Sequence, residues 1–122
     1  MSARILVIED DDGIRAMLLR GLRLAGHEPI MASDLAAARA MWGDEFDLVL
    51  LDVMLPDGNG LELLAERRAA GDETPTVLLT AREEAQLRER AALAGADAYL
   101  PKPFVYDELL AVVTRLTAGG RR

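Results

Sequence analysis

Acids, one hydroxyl and one ammonium recur at a single kind of place in this chain, the far end of a short apolar run. Glu9, Asp10, Asp11 and Asp12 follow residues 4–8, Asp52 follows 48–51, Thr80 follows 76–79, and Lys102 stands just past 98–100. If those runs are parallel strands, the fold brings the ends together although they are far apart in sequence. Carboxylates from Glu9, Asp10 and Asp52 would then repel one another strongly at low effective dielectric. A hard divalent cation resolves that repulsion. Magnesium suits the donor set, because it takes carboxylate, carbonyl and water oxygens and commonly uses one or two carboxylates plus a phosphate; Asp10 and Asp52 would supply them. With the cation and Lys102 neutralising the site, a carboxylate oxygen of Asp52 can attack a phosphoryl group in line and form an acyl phosphate. Thr80 would then have a new group to bond. Each residue also has a plainer role when taken alone: the acids as a solvated turn beside a helix dipole, Asp52 or Thr80 as a cap, Lys102 as a surface charge. Convergence at four strand ends speaks for a shared site instead.

The elements that must position these residues are legible as an alternation. Candidate strands at 4–8, 28–32, 48–51, 76–79 and 98–100 are mostly continuous in apolar residues, as strands buried on both faces are. Between them Ile14, Met17, Leu18, Leu22 and Ala25 recur at helical spacing, as do Leu61, Leu64 and Ala65, and Leu109, Val112, Val113 and Leu116. Gly26, Gly43, Gly71 and Gly95 each follow a helical stretch, where a left-handed stop is wanted. Asp12 is expected to cap the first helix and Ser33 or Asp34 the second, whereas the fifth begins at Val105 and Tyr106 without a good cap. Trp42 and Phe46 are expected to pack at the end of the second helix, His27 to lie in a surface turn, and the methionines to fill the core. Right-handed crossovers between five βα units predict an α/β, flavodoxin-like, doubly wound parallel sheet of order 2-1-3-4-5 in a three-layer sandwich. In such sheets the ligand crevice lies beyond the carboxyl ends of the strands.

Composition narrows the function classes. A chain of 122 residues fits one domain, expected over 1–118, with 119–122 as a tail or the start of a linker. It has no cysteine, which removes disulfides, thiolate metal sites and a cysteine nucleophile. The first residues form neither a signal peptide nor a membrane span, so a cytoplasmic chain without membrane contact is expected. A net charge of −7, from 21 acids against 14 bases, argues against a nucleic-acid surface.

Four motifs carry a resemblance over essentially the whole chain: Ile5-Leu6-Val7-Ile8-Glu9-Asp10-Asp11, Leu50-Leu51-Asp52-Val53-Met54-Leu55-Pro56-Asp57-Gly58, Leu79-Thr80-Ala81-Arg82, and Gly95-Ala96-Asp97-Ala98-Tyr99-Leu100-Pro101-Lys102-Pro103-Phe104. Together they resemble the receiver domains of two-component response regulators. The resemblance implies that Asp52 is the phosphoacceptor, Asp10 and Asp52 bind Mg2+ with the Met54 backbone carbonyl, and Glu9 acts on the metal indirectly. It makes Lys102 the phosphate-pairing lysine, Thr80 and Tyr99 a switch pair, and the phosphohistidine of a sensor histidine kinase the donor. A cis peptide between Lys102 and Pro103 is also expected. Such a chain is no general enzyme, since it catalyses only its own phosphorylation and dephosphorylation.

The motifs look most like receivers that carry a winged-helix output domain, so DNA contact would come only through a domain outside these residues. That class dimerises through a face of helix 4, strand 5 and helix 5. Ala98, Val112, Leu93 and Thr114 stand where two of its ion pairs would be, leaving Arg88 and Glu108 for a third. A homodimer weaker or differently registered than that of the class is expected. Three other functions fit these residues less well. An aspartyl-nucleophile phosphatase needs a proton donor where Met54 stands. A dinucleotide or flavin module needs a phosphate-holding loop where Glu9 to Asp12 would repel phosphate. A degenerate receiver used only for protein contacts fits poorly with Asp10, Asp52, Thr80 and Lys102 all present.

Overall fold

Ile5, Leu6, Val7 and Ile8 are all inaccessible to solvent, which only a central strand covered on both faces achieves. The computed structural model describes residues 2–43, 45–81 and 85–118; Arg82 lies outside them. The elements are β1 (Arg4–Ile8), α1 (Asp12–Leu24), β2 (Glu28–Ala32), α2 (Leu35–Met41), β3 (Leu48–Asp52), α3 (Gly60–Ala69), β4 (Thr76–Thr80), α4 (Ala85–Ala94), β5 (Ala98–Pro101) and α5 (Tyr106–Thr117). The five strands form one parallel sheet in the order β2-β1-β3-β4-β5, as expected. A separate antiparallel ribbon of two-residue strands, Met54–Leu55 against Gly58–Asn59, sits between β3 and α3.

Alternation along each strand divides the core in two. Leu6, Ile8, Val49, Leu51 and Leu78 face Leu35, Ala38, Leu61, Leu64, Leu87 and Ala91 of α2, α3 and α4. Ile5, Val7, Leu48, Leu50, Val77 and Leu79 face Leu18 and Leu22 of α1 and Leu109 and Val113 of α5. Among the described residues, no helix is long and apolar enough to cross a membrane.

Several local expectations change in the folded chain. β3, β4 and β5 each run one residue further, so Asp52 and Thr80 belong to the sheet's last rungs, opposite Leu79 and Pro101. Asp11, not Asp12, caps α1 by accepting the Ile14 N–H at 2.9 Å; Asp12 is helical and pairs with Arg15. Asp34 is the cap of α2, accepting the Ala37 N–H at 2.7 Å. Gly26, Gly71 and Gly95 have φ of 90°, 89° and 98°, but Gly43 does not share this conformation, because α2 ends at Met41 and Trp42 is already extended. Trp42 and Phe46 are buried as expected. Met17, Met41 and Met54 are too exposed to be core filler, and Leu63 takes the place in the core expected of Ala65. Ala25 is likewise exposed. His27 is half-buried in the turn before β2, where its Nδ1 accepts the Ala3 N–H at 3.1 Å. No side chain caps α5 at Val105, as expected, and the helix is held sideways instead, its Tyr106 hydroxyl donating to Gly21 O at 2.6 Å.

Candidate functional site

The carboxyl ends of β1, β3 and β5 bring two acids and one ammonium into direct contact. Glu9 continues the line of β1, its N–H donating to Ala32 O at 3.0 Å, and this holds its side chain fully inside the protein. Asp52, the last residue of β3, is 4% exposed. Lys102 reaches both from the opposite side: its Nζ donates to Glu9 Oε1 at 2.5 Å and to Asp52 Oδ2 at 3.3 Å. Its own N–H donates to Thr80 O at 2.6 Å, and the Lys102–Pro103 bond is cis, as expected. The Met54 N–H donates to the other Asp52 oxygen, Oδ1, at 3.2 Å. Thus one Asp52 oxygen faces the lysine and the other a backbone donor.

Asp10 differs from its neighbour in being exposed at the mouth of the crevice. One oxygen from each of Glu9, Asp10 and Asp52 lies within 4.8 Å of the others. An all-oxygen cluster of this charge, partly buried, fits a hard divalent cation and not a thiophilic or imidazole-preferring one. Electrostatics agree with that reading. Burial raises the Asp52 carboxyl to about 6, the adjacent Glu9 charge and hydrogen bond add to the rise, and Lys102 and the Met54 N–H only partly offset it. For Lys102, burial works to lower the ammonium, but the hydrogen bond to Glu9 and the charges of Asp52 and Glu9 override it and hold the group above its ordinary value.

The remaining expected residues lie around this centre. Thr80 is buried at the end of β4, next in the sheet to Asp52's strand. Tyr99, in β5, is half-buried, and the Arg88 guanidinium of α4 lies over its ring at 5.4 Å. Glu108 is exposed in the first turn of α5, and the Met54 side chain is 51% exposed. Arg15 was not foreseen. Its Nη1 donates to Glu9 O at 3.1 Å and Asp10 O at 3.0 Å, so it fixes the backbone that carries both acids. The only trace in the sequence is its i,i+3 spacing from Asp12, which suggests a helix-surface pair.

The comparisons with known proteins agree with this geometry. The model of the response regulator receiver domain family matches residues 5–114. The response regulator MprA of Mycobacterium ulcerans (strain Agy99) is 44% identical over 112 residues, 91% of this chain but 48% of that relative. The chain therefore spans about half the length of the curated relatives it matches. Among solved structures, the non-phosphorylated HemR receiver domain from Leptospira biflexa superposes with a TM-score of 0.90 at 36% identity, covering 98% of both chains. The receiver domain of the Francisella response regulator 1452 does so with a TM-score of 0.89 at 27% identity, over 98% of this chain and 99% of that one. With its sheet order, its acidic crevice and this match over nearly its full length, the chain belongs to the response regulator receiver domain family.

Proposed function

We propose that this chain is the phosphoacceptor of a two-component system and that Asp52 takes a phosphoryl group from the phosphohistidine of a sensor histidine kinase. The observation that supports this best is the contact of Lys102 Nζ with both Glu9 and Asp52 at the strand ends. An Asp52 oxygen attacks phosphorus, the P–N bond to the donor imidazole breaks, and its electron pair returns to the ring. The carboxyl, raised to about 6, is mostly ionised at neutral pH yet more basic than an ordinary aspartate, which favours attack. Lys102 follows the charge that moves onto the phosphoryl oxygens.

Asp10, Asp52 and the Met54 carbonyl would hold Mg2+, with Glu9 acting on it indirectly. When bound, the cation supplies charge neutralisation for the incoming phosphoryl oxygens. Beyond its own phosphorylation and dephosphorylation the chain catalyses nothing. Thr80 bonds the new phosphoryl group and Tyr99 responds, altering the face of α4, β5 and α5 on which Arg88 and Glu108 offer contacts to a second copy. Residues 1–118 form the receiver, residues 119–122 a tail or the beginning of a linker, and the reading places the protein in the cytoplasm. DNA would be contacted only by an output domain beyond the receiver.

Acetyl phosphate with magnesium tests the chemistry. Intact-mass measurement is expected to show one added phosphoryl group on the parent and none on Asp52→Asn. Equal labelling of the two would move the nucleophile elsewhere.

A further inference from the structure

The loop that leaves Asp52 carries an acid that the site itself does not use. Asp57 stands at the turn of the Met54–Asn59 ribbon and is exposed, yet both of its oxygens are engaged by another element. Oδ1 accepts the Leu35 N–H at 2.8 Å and Oδ2 the Ala36 N–H at 3.1 Å. These are the first residues of α2, whose own cap Asp34 already takes the Ala37 N–H. The free donors of one helix end are therefore shared between a local acid and an acid twenty-odd residues away in the chain. The Leu35 N–H holds the Asp57 carboxyl below its ordinary value, and the helix dipole attracts the same charge.

The approach is close enough to bear on the next residue. Gly58 has φ of 149°, so the backbone favours glycine, and a Cβ there would meet Leu35 Cδ1 at 2.8 Å and have to push that side chain aside. The rest of the loop is stiff. Met54 pairs with Asn59 and Leu55 with Gly58, the Asn59 side chain accepts the Leu61 N–H at 2.8 Å to cap α3, and the Gly60 N–H donates to Val53 O at 2.7 Å. Met54 thus lies between a fixed base and a tip tied to α2.

We propose that Asp57 is a positioning residue that fastens this loop to α2 and so sets where the Met54 backbone stands beside Asp52. The inference rests on the reading of Asp52 and Met54 as part of a magnesium site, and it adds to that site a supporting contact from α2. Asp34 provides the control, because removing it weakens the same helix end without releasing the loop.

The test is magnesium titration of the metal-free full chain by calorimetry, with the Met54 amide resonance followed in the same samples. Asp57→Ala is expected to weaken magnesium binding about tenfold, the low end of what the loss of a supporting contact to a metal site costs, and to shift the Met54 amide before any metal is added. Asp34→Ala should lower the thermal midpoint but leave affinity and resonance as in the parent. Should Asp57→Ala prove too unstable, Asp57→Asn, which keeps a carbonyl acceptor for one amide, is expected to show both effects in smaller measure. Parent-like affinity and an unmoved Met54 resonance in the Asp57 variants would overturn the proposal, as would equal effects from Asp34→Ala. A parent that binds no magnesium would instead count against the metal site itself, and the metal-free Met54 resonance would then decide the positioning role alone.

Discussion

Asp52 is held in conflict with its surroundings. Burial and the Glu9 carboxylate raise it from an ordinary 3.8 to about 6, so the folded chain binds a proton in that interval that the unfolded chain has already released. By linkage, the stability associated with this group is fully present below the unfolded value and is lost as pH rises through the folded one. Asp57, Glu66 and Asp72 run the other way, because their carboxyls are lowered and their contributions are lost in acid. A difference between parent and variant isolates Asp52 from these. Metal-free Asp52→Asn should therefore melt above the parent at about pH 7, with the gap closing towards the unfolded carboxylate range as the parent's Asp52 takes up its proton. Thermal melts across that range in chelator check it; a constant gap would mean that Asp52 is not strained by charge. Arg15 and Lys102 show the opposite arrangement, with cations placed where carbonyls and carboxylates collect.

Among the elements, the helix starts differ in how firmly they are made. α1 begins on Asp11, whose side chain takes the Ile14 N–H, while Asp12 sits in the first turn with its side chain 92% exposed and pairs with Arg15. Asp11→Ala should cost about 1 kcal/mol of unfolding free energy, the usual loss for a cap. Asp12→Ala should leave stability unchanged, since exposed ion pairs contribute little. Urea unfolding of both variants in metal-free buffer distinguishes them, and equal losses would show that the two acids share the cap. α5 has no such side chain at Val105 and relies on Asp107 and Glu108 in its first turn and on Tyr106, whose ring fills the space that a Cβ on Gly21 would need. The end of a helix can thus be stabilised from within its own turn or from a neighbour, and only the first is written locally.

For the whole molecule, the proposed function has the chain meet a second copy through the face built by α4, β5 and α5. Leu93 of α4 is 87% exposed, and Arg88 of the same helix is engaged over the Tyr99 ring. Two of the ion pairs expected of the resembling winged-helix receivers are replaced by Ala98, Val112, Leu93 and Thr114. Exposed pairs are worth up to about 1 kcal/mol each, so losing two weakens a dimer by at most roughly thirtyfold. Sedimentation of the phosphorylated chain should accordingly show weak self-association, which Arg88→Ala weakens further by removing the remaining expected pair. A tight symmetric dimer lost in that variant would refute the expectation.

Strand order, the two faces of the sheet and the crevice at its carboxyl edge were legible in the sequence, because buried parallel strands are continuous apolar runs and the residues at their ends need no further information to be placed. Asp10, Asp52, Thr80 and Lys102 were placed at that edge in this way. What the sequence could not show depends on contacts between distant segments. Glu9 is fully buried against Lys102 while Asp10 beside it is exposed, a difference made by the Glu9–Ala32 backbone bond and the reach of Lys102 across the sheet. Gly43 looked like the other helix-ending glycines, but α2 stops sooner and leaves it no such duty. Asp57 stood in the sequence only as one residue of the motif after Asp52, and the packing of the loop on α2 makes it that helix's second cap. Periodicity is a property of neighbours in the chain. A hydrogen bond between residues twenty or more positions apart exists only once the layers have packed.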